Sequence, residues 1–265
     1  MLDFESNANI LHGLLDLGEH VGLLDINSGC SGYVEGLNQA CALIAAGCRA
    51  VILVTADTLS RLVNPRDRSV RHLFGDGASA SLIVEDQDNQ SDVIVEVNND
   101  GSGFKSIIVE DGGFRNPISE SSLIEQGDSD GNWRCPANIR MDGGEVFNFA
   151  VRREPESVRS VLEFAGFNES SIDRFYFHQA NKYIIKNICR RLKVEDSLAP
   201  VESMRKYGNL SSSSIPVAII DDLGNTSGAR RTNLKAVLSG FGVGLSWGSI
   251  VLDITGSTEL TLERV

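Results

Sequence analysis

Three polar side chains stand where a predicted strand or loop gives way to a helix. Cys30 lies three residues before the start of a predicted helix over residues 33–47, and the positive end of a helix dipole favours the thiolate form of a cysteine. His178 follows a predicted strand, and Asn209 precedes another predicted helix. A thiolate attacks an acyl thioester, while imidazole and amide groups can donate hydrogen bonds to an enolate oxygen. The set predicts covalent acyl transfer through Cys30.

Each of the three residues also has an ordinary structural interpretation. A free cysteine is most often a small buried hydrophobe, and a lone histidine after a strand is most often a satisfied hydrogen-bonding group. An asparagine after a glycine commonly forms a turn or a helix cap. Spacing alone does not choose between these interpretations and catalysis.

The elements that must position these side chains alternate between strands and helices. Residues 21–26 form a continuous apolar run that predicts a buried strand, and residues 50–56 predict a second one. With the helix over 33–47 between them, they predict a βαβ unit with two parallel strands. We therefore expect an α/β fold with a layered core. The remaining main predictions are helices over 1–20, 143–166 (interrupted at Pro155), 182–192 and 215–223, and strands over 80–85, 93–97, 106–109, 173–177 and, as a pair, within 233–254.

Composition narrows the class of protein. The chain has 265 residues, a net charge of −12 and 42% hydrophobic residues, which suits a globular enzyme and argues against general nucleic-acid binding. No apolar run approaches the roughly 18 residues that a membrane span needs. The five cysteines lack CxxC spacing and the four histidines lack a metal-ligand pattern, which favours reduced thiols over disulfides or a zinc site. We expect a cytoplasmic protein with no metal and no membrane segment.

Six motifs follow one another along the chain: residues 25–32 (DINSGCSG), 64–68 with 74–78 (NPRDR and FGDGA), 141–147 (MDGGEVF), 178–181 (HQAN), 207–216 (YGNLSSSSIP) and 240–249 (GFGVGLSWGS). Together and in this order, they resemble the motifs of the ketoacyl-acyl-carrier-protein synthase III family of the thiolase superfamily. The resemblance implies a thiolase-like α/β fold of two related βαβ-rich halves. It also implies a decarboxylating Claisen condensation that joins an acyl-CoA-derived acyl group to malonyl-acyl carrier protein through an acyl-cysteine intermediate.

The resemblance also implies roles for residues at the matching positions. Cys30 would accept the acyl group, while His178 and Asn209 would promote malonyl decarboxylation and stabilise the carbanion. The backbone N–H groups of Cys30 and Gly244 would form the oxyanion hole. The implied binding residues are Arg68, Phe74 and Asn181 for the pantetheine arm, and Arg190 and Arg191 for the acidic carrier protein.

Arg190 and Arg191 have a second interpretation. A local basic patch can steer an acidic partner toward a protein of negative net charge. Basic residues in the last turn of a helix are equally well explained as a solvated end that the helix dipole favours.

Two features depart from the family pattern. Tyr183 stands where many members carry a basic or small residue. The nucleophile also comes early, because 20 residues precede its predicted strand, whereas one βαβ unit takes roughly 30 residues. We expect an incomplete first half, with the rest lost by truncation, missed by a misassigned start or supplied by a separate chain. The expected divisions are residues 1–115 (first half), 116–133 (connecting loop) and 134–265 (second half).

Two other functions stay open at this point. The chain could transfer the acyl group from Cys30 to a hydroxyl or amine acceptor. It could also be an inactive, truncated or scaffolding subunit, which the intact Cys-His-Asn set argues against and the short N-terminal part argues for. The resemblance implies acyl-CoA and acyl carrier protein as partners, a homodimer and no cofactor, and it suggests fatty acid biosynthesis. The motifs encode neither the acyl chain nor the pathway, so polyketide synthesis and sugar modification stay open beside fatty acid synthesis.

Overall fold

A computed structural model describes residues 6–85, 92–224 and 234–254. None of the helices in these ranges is both long and apolar enough to cross a bilayer. Of the helix predicted over 1–20, residues 1–5 lie outside the described residues, and the described part contains α1. The described α-helices are α1 (Asn7–Leu14), α2 (Gly32–Ala45), α3 (Gly143–Phe164), α4 (Lys182–Leu192), α5 (Glu202–Tyr207) and α6 (Ser214–Gly224).

In the described part of the chain, the strands form one central sheet and three smaller pairs. The central sheet has the order β3-β10-β9-β8, with β8 parallel to β9 and the other neighbours antiparallel. The smaller pairs are β1 with β2, β4 with β7, and β5 with β6. The strands are β1 (Ala50–Thr58), β2 (Asp76–Val84), β3 (Ile94–Asn99), β4 (Ile107–Val109), β5 (Gln126–Gly127), β6 (Trp133–Arg134), β7 (Ile139–Met141), β8 (Arg174–Phe177), β9 (Leu234–Gly242) and β10 (Ser246–Ile254).

Helices cover both faces of the central sheet and give the protein three layers. Phe175 and Phe177 of β8 belong to a buried cluster that includes α3 and α4, whereas Tyr176 between them belongs to a second cluster with α2 and α6. Successive strand residues point to opposite faces, so each strand contributes to both cores. Burial of each such large apolar side chain stabilises the fold by about 1.5–3 kcal/mol. The predicted α/β architecture with a layered core is confirmed.

Two predicted helices match closely, and a third is continuous where an interruption is predicted. α4 has the predicted bounds, and α2 begins one residue before its prediction. The helix predicted with an interruption at Pro155 runs without a break as α3. A proline inside a helix removes one backbone hydrogen bond, but Pro155 is buried and α3 packs on β9 and β10. These packing contacts compensate for the lost bond.

The first half of the chain differs from the prediction in two ways. Residues 21–26 form no strand, and Val21 and Leu24 are 45% and 61% exposed. A strand needs a neighbour to pair its backbone groups, and an apolar run by itself does not supply one. β1 pairs antiparallel with β2, with Ala50 opposite Val84. The predicted parallel βαβ unit is therefore wrong.

Candidate active site

Cys30 lies in a 3-10 turn, Gly29–Ser31, that leads directly into α2. Gly29 has a left-handed φ of +49°, and a side chain there would collide with Val243. A Cβ on Gly242 would lie 2.6 Å from Cβ and 3.0 Å from Sγ of Cys30. The two glycines therefore let the end of β9 pack directly against the candidate nucleophile.

The surroundings of Cys30 keep its thiol protonated. The residue is partly exposed, yet burial raises the pKa of its thiol to about 11, and the Asp57 carboxylate raises it further. Hydrogen bonds from the Ser211 side chain, with Sγ and Oγ 3.6 Å apart, and from two backbone N–H groups lower the pKa by less. The expected low pKa is wrong, because desolvation outweighs the helix-end effect.

The backbone groups beside the thiol are those of Cys30 itself and of Val243. The second donor was expected at Gly244, which follows Val243 in the turn between β9 and β10 and has a φ of +133°. The second hydrogen bond to the thiol thus comes from the residue before Gly244, and the role of the Gly244 N–H in an oxyanion hole stays a prediction. Two backbone N–H groups directed at one sulfur are suited to hold an oxyanion that develops on a carbon bound to it.

His178 directly follows β8 and is 1% exposed. Its backbone N–H donates to the carbonyl of Ser239 at 2.8 Å, and its ring packs edge-on against Phe241 with centroids 5.3 Å apart. Burial lowers the pKa of the imidazole to about 3, with a hydrogen bond to the Ser211 backbone acting in the opposite direction. The ring is therefore neutral at pH 7. Its Nδ1 has no hydrogen-bond partner among the described residues, a rare condition for a buried polar atom.

Backbone pairing with residues 73–75 fixes the position of Asn209. Its N–H donates to the carbonyl of Leu73 at 2.8 Å, and its own carbonyl accepts from the N–H of Gly75 at 3.0 Å. Its side-chain Oδ1 accepts from the N–H of Ser211 at 2.9 Å. Because Oδ1 accepts this bond, the amide NH₂ is the group of the side chain that can donate to a substrate oxygen.

The three predicted catalytic residues meet at one 3-10 turn, Ser211–Ser213, which we call the serine turn. The Oγ of Ser211 lies beside the thiol of Cys30, its N–H donates to Asn209, and its backbone interacts with the ring of His178. The structure therefore brings Cys30, His178 and Asn209 together. Sequence reasoning missed Ser211, although the run of four serines after Leu210 was a visible signal.

The predicted pantetheine-binding residues have different settings. Phe74 is half-buried and forms an isolated parallel bridge with Asn209. Arg68 is exposed, and its backbone N–H donates to Oδ1 of Asn132 at 3.1 Å. Asn181 caps α4, since its Oδ1 accepts at 2.8 Å from the N–H of the third helical residue. The side-chain oxygen of Asn181 thus has a structural role, whereas Phe74 lies next to the catalytic set.

Arg190 and Arg191 are exposed in the last turn of α4. The carbonyl of Arg191 accepts a hydrogen bond from the guanidinium of Arg159. At the other end of the helix, the ring of Tyr183 stacks on Phe147 with centroids 5.3 Å apart. Within the described ranges, no group of three or more His, Cys, Asp and Glu side chains is placed to hold a metal ion.

Comparison with known proteins identifies the family of this chain. The N-terminal and C-terminal family models of 3-oxoacyl-[acyl-carrier-protein] synthase III match residues 24–101 and 162–254. A 3-oxoacyl-[acyl-carrier-protein] synthase 3 of Campylobacter jejuni is 36% identical over 252 residues, which is 94% of this chain and 68% of the relative. The chain belongs to the 3-oxoacyl-acyl-carrier-protein synthase III family.

The Campylobacter relative and a plant relative are both longer than this chain. The chloroplastic β-ketoacyl-[acyl-carrier-protein] synthase III B of Cuphea wrightii is 36% identical over 234 residues, which is 86% of this chain and 56% of the relative. The chain thus spans little more than half of the Cuphea protein and about two thirds of the Campylobacter one.

Solved structures of synthase III proteins share the fold. A 2.1 Å crystal structure of a 3-oxoacyl-(acyl-carrier-protein) synthase III superposes with a TM-score of 0.89 at 37% identity, covering 95% of this chain and 74% of that one. The synthase from Burkholderia xenovorans gives a TM-score of 0.83 at 34% identity, over 96% of this chain and 70% of that one. These matches confirm the predicted thiolase-like α/β fold.

Proposed function

We propose that this chain carries the acyl-cysteine condensing centre of a 3-oxoacyl-acyl-carrier-protein synthase III. The observation that carries the proposal is the serine turn, where one residue, Ser211, contacts the thiol of Cys30, the ring of His178 and the amide of Asn209. Cys30, His178 and Asn209 are far apart in the sequence but meet at this turn. If Asn209 were only a helix cap and His178 only a satisfied core residue, they would not need to lie beside Cys30.

In the first half-reaction, the sulfur of Cys30 attacks the carbonyl carbon of an acyl-CoA thioester. The new carbon–sulfur bond forms as the bond to the CoA sulfur breaks, and the thiol proton ends on the released CoA thiol. The backbone N–H groups of Cys30 and Val243 bind the oxyanion of the tetrahedral intermediate. The high pKa of the resting thiol means that the proton leaves only as the attack takes place.

In the second half-reaction, a malonyl thioester loses carbon dioxide. The electron pair of the broken carbon–carbon bond stays on the remaining thioester and forms an enolate. The neutral imidazole of His178 and the amide of Asn209 donate hydrogen bonds to the enolate oxygen. The enolate carbon then attacks the acyl carbon on Cys30. The bond to the Cys30 sulfur breaks, the sulfur takes up a proton, and the product is a 3-oxoacyl thioester.

The proposal includes the partners that this chemistry needs. Acyl-CoA supplies the acyl group and malonyl-acyl carrier protein accepts it, with no cofactor. Arg190 and Arg191 are solvent-exposed cations that could meet an acidic carrier protein through electrostatic complementarity. We also propose that the assembled enzyme is a cytoplasmic homodimer that acts in fatty acid synthesis.

Incubation with acyl-CoA followed by peptide mass spectrometry tests the proposal. We expect one acyl mass on the peptide that contains Cys30, and none in a Cys30→Ser variant whose melting curve matches that of the parent. Cys189 is a matched internal control, because it is buried and burial also raises the pKa of its thiol to about 11. Acylation of Cys189, or of the parent and Cys30→Ser alike, would contradict the proposal.

A further inference from the structure

Strand β1 holds the serine turn through two of its side chains. The carboxylate Oδ2 of Asp57 accepts from the backbone N–H of Ser212 at 3.0 Å and from its Oγ at 2.5 Å. Thr55, two residues earlier on the same face, has its Oγ1 2.9 Å from the Oγ of Ser213. Hydrogen bonds to an ionised acceptor are among the stronger ones in proteins. Asp57 therefore anchors the middle of the turn to the strand.

The anchored turn has a conformation that a serine does not favour. Ser211 has a φ of +51°, in the left-handed region, which residues other than glycine rarely adopt. Such conformations persist when surrounding contacts fix them. The same residue contacts the thiol of Cys30, the ring of His178 and the amide of Asn209, so a relaxed Ser211 would change all three contacts.

We propose that Asp57 is a positioning residue, which acts through Ser212 to hold Ser211 in the strained conformation that aligns the catalytic groups. The inference rests on the proposed function for its effect on catalysis, but its structural part can be tested without substrate. The acid also serves a second purpose, since its negative charge raises the pKa of the Cys30 thiol. Removing the charge and removing the hydrogen bonds should therefore have separable effects.

Asp57→Ala removes both the charge and the bonds, whereas Asp57→Asn removes the charge and keeps an acceptor oxygen. Asp76→Ala is a matched control, because Asp76 makes the same pair of bonds, to the N–H of Ser60 at 2.9 Å and its Oγ at 2.6 Å. That serine lies in another 3-10 turn, Leu59–Arg61, which holds none of the catalytic groups.

The experiment is amide hydrogen exchange of the full chain, read in peptides that cover residues 209–214. We expect Asp57→Ala to speed exchange there by about ten- to hundredfold, as the loss of bonds to a charged group implies. Asp57→Asn should speed it less, and Asp76→Ala should leave it unchanged. Unchanged exchange in Asp57→Ala, or an equal change in Asp76→Ala, would overturn the inference. If Asp57→Ala does not melt cooperatively, the exchange rates of residues 209–214 in Asp57→Asn and in the parent are compared instead. Equal rates in these two proteins would overturn the inference.

Two functional readouts separate this inference from the proposed function. Iodoacetamide alkylation of Cys30 should have a lower midpoint pH in both Asp57 variants, and an unchanged midpoint in Asp57→Asn would overturn the charge effect. Malonyl decarboxylation should be lost in Asp57→Ala and partly restored in Asp57→Asn, which a merely stabilising residue would not produce. If the parent accepts no acyl group, the proposed function fails, while exchange and alkylation still decide the role of Asp57.

Discussion

A buried carboxyl group in α3 makes the stability of this protein depend on pH. Glu154 is 0% exposed and hydrogen bonds with Ser239, whose Oγ lies 2.9 Å from that of Ser249. Its Oε1 has no partner among the described residues. Burial raises the pKa of Glu154 to about 8; the bond with Ser239 lowers it, and the Glu96 carboxylate raises it. The folded protein therefore holds this side chain protonated at neutral pH.

Glu154→Gln should stabilise the protein at neutral pH. An unfolded glutamate has a pKa of about 4.3, so the folded state binds the proton more tightly, and the free energy of unfolding falls as the pH rises from about 4 to about 8. At roughly 1.4 kcal/mol per pH unit, the loss is roughly 3–4 kcal/mol at pH 7 and about 1 kcal/mol at pH 5. Glutamine stays neutral and keeps a donor and an acceptor, so it avoids this loss.

Thermal melting between pH 5 and pH 8 measures the effect. We expect the melting temperature of Glu154→Gln to exceed that of the parent by roughly 10 °C at pH 7, using about 2–4 °C per kcal/mol for a protein of this size, and by much less at pH 5. Glu156→Gln is the control, since Glu156 lies on the same helix with its side chain 55% exposed and paired with Arg153 at 3.0 Å. A difference that does not depend on pH, or a less stable Glu154→Gln at pH 7, would refute the reasoning.

Three further predictions concern the candidate active site. Alkylation of Cys30 should accelerate with pH through a midpoint of about 11, and a midpoint near neutral pH would contradict the burial argument. Gly242→Ala should slow acylation about tenfold or more by overpacking, whereas Gly101→Ala, whose Cβ would meet nothing within 4 Å, should not. His178→Ala and Asn209→Ala should still become acylated, by mass spectrometry, but lose decarboxylation by about 100-fold or more; equal loss of both half-reactions would contradict this division of roles.

Elements specified by local signals could be predicted from the sequence. α4 has its predicted bounds because Asn181 caps its first turn and Ile184, Ile185 and Ile188 bury one face at helical spacing. The serine turn was only partly predictable, since the position of Asn209 before a helix was visible but the contacts of Ser211 were not.

Features set by distant parts of the chain could not be predicted. Residues 21–26 have the composition of a strand, but pairing depends on which backbone lies beside them, and that is not a local property. The helix after Cys30, taken alone, predicts a lowered pKa for its thiol. Burial and the Asp57 carboxylate on β1 raise this pKa instead. The apolar run of β1 did not reveal which strand it pairs with.

The candidate centre holds its reacting groups uncharged until a substrate enters. The thiol of Cys30, with a pKa of about 11, is protonated at neutral pH, and the imidazole of His178, with a pKa of about 3, is neutral. Because a buried charge is costly, this arrangement avoids that cost in the resting protein. In the proposed reaction, the N–H groups of Cys30 and Val243 and the amide of Asn209 would interact most strongly with the negative charge that develops on oxygen, and would so stabilise the transition state more than the ground state. Asp57 fits the same logic, since its carboxylate disfavours an early thiolate while its hydrogen bonds keep the serine turn in place.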